Sequence, residues 1–181
     1  MEEVKNIFVV GAGLMGSGIA QTAITHGFNV TLNDQRAEAL ERAHNGIAKS
    51  LARDVEKGRL SQEDCDAAMA RLVISASMQP AKDADLVIEA IYENLDAKQA
   101  VFKQLEDICP PHTVFASNTS SISLTSLAAA TKRPSQVVGM HFFSPVPRMK
   151  LCEVIFGLLT AQDVLEEIQV VGKKMGKTLI L

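Results

Sequence analysis

Short apolar runs alternate with longer amphipathic segments along the chain. The first run, Ile7-Phe8-Val9-Val10, contains no polar residue and ends at a glycine, which is typical of a strand buried on both faces of a parallel sheet. Similar runs predict further strands at 30–34, 73–75, 86–89, 114–116, 137–141, 151–156 and 178–181.

The segments between these runs carry apolar residues at helical spacing. They predict helices over 14–26, 36–57, 95–108 and 161–175. Ser61 supplies the N-cap of a further short helix, Gly27 ends the first helix, and Pro110-Pro111 stops the helix before it. Because strands and helices alternate with short connections, we predict an α/β fold, a doubly wound, mostly parallel sheet with helices on both faces.

Size and charge narrow the class of protein. The 181 residues, 47% of them hydrophobic, suffice for one substantial core. A net charge of −3, with basic residues spread along the chain, argues against a nucleic-acid partner. No apolar run approaches the roughly 20 residues of a membrane span, so we also expect no membrane partner.

The cysteines and the two ends of the chain give weaker expectations. Cys65, Cys109 and Cys152 are odd in number and lack CxxC spacing, which argues against a disulfide framework and against a zinc site. Residues 1–5 lead into the first strand without a charged leader, so we expect a cytoplasmic protein. The chain ends inside an apolar strand, 178–181, and we expect it to be part of a longer protein.

A glycine-rich segment lies where the first strand gives way to the first helix. It reads Gly11-Ala12-Gly13-Leu14-Met15-Gly16, a G-x-G-x-x-G pattern. The first glycine permits a tight turn, the second lets the backbone approach a pyrophosphate, and the third lets helix and strand pack closely. The free N–H groups and the helix dipole then face the phosphates. The segment predicts a dinucleotide site, with a plain glycine turn as the alternative.

An acidic residue ends the second strand. Asp34 follows Gly16 by 18 residues, where a carboxylate accepts hydrogen bonds from the ribose hydroxyls of an adenosine. The same carboxylate repels a 2′-phosphate, which favours NAD over NADP, although Arg36 nearby favours NADP. We therefore predict NAD as the cofactor.

Three later segments carry residue types that are common in active sites. Together with the glycine-rich segment and Glu89-Ala90-Ile91-Tyr92-Glu93-Asn94, their order resembles the 3-hydroxyacyl-CoA dehydrogenase family, including the 3-hydroxybutyryl-CoA dehydrogenases. The resemblance covers essentially the whole chain. The three segments are Ser117-Asn118-Thr119-Ser120-Ser121, Gly139-Met140-His141-Phe142-Phe143-Ser144-Pro145 and Leu151-Cys152-Glu153.

The resemblance implies a domain organisation. Residues 1–181 would form a Rossmann-like NAD-binding domain that carries most of the catalytic residues. In the family a smaller helical domain follows, makes the dimer contact and closes over the acyl-CoA substrate. We therefore expect the parent protein to be a homodimer through a C-terminal domain that this chain lacks. A family asparagine would also lie beyond Leu181.

The resemblance assigns His141 as the general base that removes the hydroxyl proton. Imidazole suits this role, and a positioned base contributes roughly 10²–10⁴-fold to the rate. Glu153 would orient the imidazole, Ser120 would bind the 3-oxygen of the substrate, and Asn118 would place substrate or nicotinamide. The alternatives are a core histidine, an exposed carboxylate and an ordinary turn. No G-x-S-x-G elbow is present, which argues against hydrolase chemistry.

Two charged residues complete the cofactor site that the resemblance implies. Glu93 and Lys98 match positions on the ribose and nicotinamide side of the cofactor. The alternative is a solvated charge pair near a helix start. Ser144 departs from the family pattern, because many members have asparagine there, and we expect it to tune cofactor or substrate contacts.

A basic stripe lies on the long second helix. Lys49, Arg53 and Lys57 are four residues apart and share one helix face, which suits the phosphates of coenzyme A. By resemblance, Ser50 and Lys57 lie near the coenzyme A nucleotide. A solvated helix face is the alternative.

These residues together predict a reversible, NAD-dependent oxidation of a short-chain L-3-hydroxyacyl-CoA to the 3-oxoacyl-CoA, with His141 as general acid and base. Two other functions stay open. One is a Rossmann domain that holds NAD without catalysis. The other is a β-hydroxyacid dehydrogenase of the phosphogluconate type, which ranks lower because that group places its catalytic lysine in a later helical domain.

Overall fold

A computed structural model describes residues 3–181 of the chain. One sheet of eight strands crosses this part of the molecule in the order β3-β2-β1-β4-β5-β6-β7-β8. Strands β1 to β6 are parallel, whereas β7 pairs antiparallel with β6 and parallel with β8. The strands are β1 (Asn6–Val10), β2 (Asn29–Asn33), β3 (Leu72–Ser75), β4 (Leu86–Glu89), β5 (Val114–Ser117), β6 (Val137–Phe142), β7 (Leu151–Phe156) and β8 (Thr178–Ile180).

Six α-helices connect these strands within residues 3–181. Side chains cap the helices that start near polar loops: Ser61 accepts a hydrogen bond from the Asp64 N–H, and Asn94 accepts one from the Ala97 N–H. The helices are α1 (Leu14–Thr25), α2 (Ala37–Glu56), α3 (Gln62–Ala70), α4 (Leu95–Ile108), α5 (Leu124–Ala128) and α6 (Gln162–Lys174).

The central strand shows why helices cover both faces of the sheet. Ile7 and Val9 of β1 point into one core, which α1, α2, α3 and α6 cover. Phe8 and Val10 point into a second core, which α4 and α5 cover. Successive side chains of a strand alternate between faces, so an uninterrupted apolar run buries both of them. The predicted doubly wound, mostly parallel sheet is confirmed.

The order of the strands positions the site. The chain leaves β1 for β2 and β3 on one side, then crosses over to β4 on the other side. A crevice therefore opens beyond the carboxyl ends of β1 and β4, the switch point at which doubly wound folds bind their ligands.

Three short elements lie outside the sequence prediction. They are α5 and two 3-10 helices at Gln79–Asp83 and Pro134–Gln136. Each spans about one turn, too short to show a helical period. The sequence pattern also does not give the direction of β7, which is antiparallel to β6. It follows from the connection 143–150, which is shorter than a parallel crossover requires.

Candidate active site

The glycine-rich turn joins β1 to α1 at the mouth of the crevice. Gly11 has a φ of 103°, and its N–H donates a 2.8 Å hydrogen bond to the Asn33 carbonyl at the end of β2. A Cβ atom on Gly16 would lie 1.7 Å from the Gly11 carbonyl oxygen. The turn therefore requires glycine at both positions, as the G-x-G-x-x-G pattern predicts.

The middle glycine of the turn, Gly13, leaves open space at the N-terminus of α1. Gly13 is the N-cap of α1, and no side chain caps this helix end. A Cβ on Gly13 would have no neighbouring atom within 4 Å. The first N–H groups of a helix have no intrahelical acceptor and are available to an anion. The turn therefore fits the pyrophosphate of a dinucleotide.

Asp34 fixes the other side of the turn. Its Oδ2 accepts a 2.9 Å hydrogen bond from the Ala12 N–H, and its Oδ1 accepts from the N–H and the Nε of Arg36 at 2.9 and 3.3 Å. Burial raises the pKa of this carboxyl, but the hydrogen bonds from Ala12 and Arg36 hold it below its ordinary value. Asp34 is thus an ionised acceptor beside the turn, where an adenosine ribose would lie.

His141 and Glu153 face each other across the antiparallel strands β6 and β7. They are directly opposed in the register, and His141 Nδ1 lies 3.8 Å from Glu153 Oε1. This distance exceeds that of a hydrogen bond. The His141 side chain is 20% exposed, and its ring packs 4.7 Å from that of Phe143. The register thus pairs the residue that the resemblance assigns as general base with the residue that it assigns to orient the imidazole.

The turn after β5 lies on the side of the sheet where the parallel strands have their carboxyl ends, as does His141 near the end of β6. Asn118 links two strands, because its N–H donates to the Glu89 carbonyl and its Oδ1 accepts from the Phe142 N–H, both at 2.9 Å. Ser120 is exposed, and its hydroxyl has no hydrogen-bond partner within residues 3–181. Asn118 therefore anchors the turn that carries the exposed Ser120.

Glu93 and Lys98 belong to a buried charge cluster. Lys98 is fully buried, and its Nζ lies 2.6 Å from Glu89 and 3.1 Å from Glu93. Glu89, to which neither the motifs nor the resemblance assigns a role, is fully buried as well. The sequence could have identified Glu89, because it ends the apolar run Leu86-Val87-Ile88. A carboxylate at the end of a buried strand needs a charged partner.

A groove of about 540 Å³ begins at the glycine-rich turn and lies between α1, α2 and the loop 145–148. Ser50 lines it and accepts a 2.9 Å hydrogen bond from Gln21 Nε2. Its walls are largely apolar, and Arg42 and Arg148 are among the lining residues. The resemblance assigns Ser50 and Lys57 to coenzyme A, and of these two residues only Ser50 lines the groove.

The basic stripe lies apart from this groove. Lys49, Arg53 and Lys57 are not among the lining residues. Lys57 is the C-cap of α2, seven residues after Ser50, which corresponds to roughly 10 Å along the helix. The structure does not bring Lys57 together with Ser50.

The cysteines take no part in this arrangement. Cys65, Cys109 and Cys152 are buried free thiols, and burial raises the pKa of Cys152 to about 12 and that of Cys109 to about 11. Residues 3–181 contain no group of three or more side chains arranged to hold a metal ion. No helix in the same range is long and apolar enough to cross a membrane.

Comparison with known proteins agrees with this geometry. Residues 6–181 match the family described as "3-hydroxyacyl-CoA dehydrogenase, NAD binding domain". A probable 3-hydroxybutyryl-CoA dehydrogenase of Bacillus subtilis is 50% identical over 98% of this chain and 62% of its own length. A 3-hydroxyadipyl-CoA dehydrogenase of Escherichia coli is 46% identical over 98% of this chain and 37% of its own length.

A solved structure of a similar enzyme also matches the fold of this chain. The crystal structure of 3-hydroxybutyryl-CoA dehydrogenase from Escherichia coli K12 superposes with a TM-score of 0.97 at 45% identity, over 99% of this chain and 38% of that one. The chain thus spans less than two thirds of the length of these relatives. The matches favour the hydroxyacyl-CoA type over the phosphogluconate type.

Proposed function

The chain belongs to the 3-hydroxyacyl-CoA dehydrogenase family as its NAD-binding domain, and from this premise we propose that its parent protein reversibly oxidises a short-chain L-3-hydroxyacyl-CoA to the 3-oxoacyl-CoA. NAD is the cofactor, and when bound it supplies the hydride acceptor. One observation carries the proposal: the sheet register places His141 opposite Glu153 at the edge that also holds the nucleotide turn.

His141 acts as the general base in the oxidative direction. The hydrogen on carbon 3 leaves as hydride, and the hydroxyl proton passes to the imidazole. Nδ1 is the ring nitrogen that lies 3.8 Å from Glu153, so Nε2 is the nitrogen left for the substrate hydroxyl. Glu153 fixes this orientation and stabilises the imidazolium. Catalytic hydrogen bonds are often long without substrate, and we propose that this contact shortens on binding.

The turn after β5 positions the reacting oxygen. The Ser120 hydroxyl donates a hydrogen bond to the 3-oxygen, which strengthens as negative charge develops there. Asn118 uses its Oδ1 to hold Phe142, which leaves its Nδ2 for the substrate or the nicotinamide amide. Ser144 is exposed at the start of the groove-lining loop, where it tunes these contacts.

The groove holds the coenzyme A arm of the substrate. Its apolar walls suit the pantetheine chain, and the fork geometry of Arg42 and Arg148 suits the phosphates. Ser50 contributes a hydroxyl partway along the groove, and Lys57 meets the outer end of the nucleotide. The loop 145–148 follows His141 by only a few residues, which connects the groove to the proton-transferring group.

The parent protein has further parts in this proposal. A helical C-terminal domain follows the present chain, closes over the substrate and forms a homodimer contact, and the protein acts in the cytoplasm. The support for the further domain and the homodimer is the resemblance together with the greater length of the relatives.

The test follows NADH oxidation by absorbance after acetoacetyl-CoA is added. It uses this chain and, in parallel, a protein extended through the helical domain. The proposal expects turnover by the extended protein. If the extended protein binds NADH but oxidises it with no short 3-oxoacyl-CoA, the chain is an NAD-binding module without catalysis.

A further inference from the structure

A fully buried lysine lies between two carboxylates beside the crevice. Lys98 Nζ contacts Glu89 Oε2 at 2.6 Å, Glu93 Oε1 at 3.1 Å and the Ile91 carbonyl at 3.2 Å. The contacts with Glu89 and with the Ile91 carbonyl are hydrogen bonds, and the contact with Glu93 is an ion pair. Because Lys98 is fully buried, it acts on the crevice through these neighbours.

Glu89 is the anchor of this cluster. Its Oε1 accepts a 2.6 Å hydrogen bond from the Ser117 hydroxyl, and its Oε2 accepts a 2.8 Å bond from the Ile91 N–H besides the contact with Lys98. Glu89 ends β4, Ser117 ends β5, and Lys98 belongs to α4. One buried carboxylate therefore ties together three elements that meet at the crevice.

Glu93 is the exposed end of the same cluster. Its side chain is 45% exposed and accepts hydrogen bonds from the Thr119 and Ser121 hydroxyls at 2.5 and 3.0 Å. Burial raises its pKa, but the bonds from Thr119 and Lys98 hold the pKa below its ordinary value. Two carboxylates share one ammonium, so the cluster presents a net negative acceptor to the crevice.

The geometry of the sheet indicates what this acceptor meets. With the adenosine half toward β2 and Asp34 and the pyrophosphate at α1, as in other doubly wound folds, the nicotinamide half of the cofactor would extend over the ends of β4 and β5. We propose that Glu89 is a positioning residue for the nicotinamide half of NAD. Through Lys98 and Ser117 it holds the Glu93 carboxylate and the turn 117–121 in place. The inference rests on the cofactor site of the proposed function, not on the substrate.

The test compares two ligands on this chain. Glu89→Gln keeps the shape of the side chain and removes its charge. The Kd of this variant is measured for NADH and for ADP, which contains the adenosine and the two phosphates but no nicotinamide riboside. We expect the Kd for NADH to rise about tenfold, the effect of one charge-assisted hydrogen bond, and the Kd for ADP to stay within about twofold. Glu89→Asp, which keeps the charge, should recover part of the loss.

A matched control separates positioning from general destabilisation. Asp85→Asn removes a carboxylate at the opposite edge of the sheet, where Asp85 accepts from the Lys5 and Asn6 N–H groups and contacts His112. This variant should lower the melting temperature without changing the ratio of the two Kd values. An equal weakening of NADH and ADP by Glu89→Gln would overturn the proposal.

A double-mutant cycle tests the route through Glu93. If Glu89 acts through Glu93, the effects of Glu89→Gln and Glu93→Gln on the Kd for NADH are not additive, whereas additive effects contradict the proposal. Should Glu89→Gln fail to fold, Ser117→Ala removes one donor to Glu89 and should weaken NADH about threefold and ADP not at all. These readouts need no turnover, so a protein that binds NADH without oxidising a substrate contradicts the proposed function and leaves Glu89 testable.

Discussion

The nucleotide half and the chemical half of the crevice are built in different ways. The nucleotide half comes from one continuous stretch, 11–34, and its backbone already fixes the turn through the Gly11 and Asp34 hydrogen bonds. The chemical half gathers side chains from the turn after β5 and from β6 and β7, and its central pair, His141 and Glu153, is still 3.8 Å apart. The glycine-rich turn is therefore built locally, whereas the arrangement of His141 and Glu153 depends on the register between β6 and β7.

The two halves also differ in their free polar atoms. Both oxygens of Asp34 are engaged by backbone or side-chain donors. The Ser120 hydroxyl has no partner within the described residues 3–181. Substitutions in the chemical half should therefore change turnover, and those in the nucleotide half should change binding and stability.

The largest effect is expected at His141. His141→Gln removes the proton acceptor, and kcat of the extended protein should fall roughly 10²–10⁴-fold while the Kd for NADH stays within about twofold. Stopped-flow or steady-state absorbance measures the first quantity, and a fluorescence titration measures the second.

The matched control for this variant is His112→Gln. His112 pairs with Asp85 at the opposite edge of the sheet, so its loss should leave kcat unchanged. An unaltered kcat in His141→Gln would reject the assignment, and a large rise in the Kd for NADH would break the separation between the two halves.

A smaller effect is expected at Glu153. Glu153→Gln keeps the shape but loses the charge that stabilises the imidazolium, so kcat should fall roughly 10-fold to 10²-fold, limited by solvent screening of a side chain that is 42% exposed. Steady-state kinetics with acetoacetyl-CoA measures it. Glu166→Gln, on the exposed face of α6, is the control and should change nothing; equal kcat values for both variants would contradict the role of Glu153.

Two glycine substitutions sharpen the comparison within the nucleotide half. Gly16→Ala forces the Gly11 carbonyl aside and should lower the free energy of unfolding by about 1–3 kcal/mol. The methyl group that Gly13→Ala adds would point into open space, so the free energy of unfolding should change by less than about 1 kcal/mol. The Kd for NADH should rise about tenfold, because the methyl group would occupy the space that we assign to the pyrophosphate. Urea unfolding and NADH titration separate them. Normal NADH affinity in Gly13→Ala would exclude a pyrophosphate from this position.

The smallest effect concerns acid stability at Asp34. Its pKa in the folded protein lies below the ordinary 3.8, so the stabilisation is complete above that pH and is lost as the pH falls through the folded-state pKa. Asp34→Asn should lower the free energy of unfolding at pH 7 by about 1 kcal/mol. Urea unfolding should show this difference shrinking below about pH 4. A difference that stays constant down to pH 2 would contradict the hydrogen-bond geometry.

Most of the fold follows from local patterns. The strand β4 has the predicted bounds, and α2 begins and ends within one residue of its prediction. Apolar runs and caps act over a few residues, so a sequence shows them directly. The one-turn helix α5 has no period to recognise, and Ser123, which caps it, lies in a stretch rich in serine.

The site was less predictable where contacts are long-range. The turn 11–16 and Asp34 could be identified because strand, turn and helix are consecutive. The tie between Glu89 and Ser117 joins different strands, so no spacing in the sequence reveals it. Arg42 of α2 and Arg148 of the loop 145–148 both line the groove although they are far apart in the sequence, whereas Lys49, Arg53 and Lys57 of the basic stripe are not among its lining residues.

The most direct test follows the hydrogen on carbon 3. L-3-Hydroxybutyryl-CoA carrying deuterium at that carbon is incubated with NAD and the extended protein, and the NADH is analysed by mass spectrometry. Our account predicts that the deuterium appears in NADH and none in the solvent, and that His141→Gln slows this transfer. Deuterium released to water, or its retention in the substrate despite bound NAD, would contradict the account.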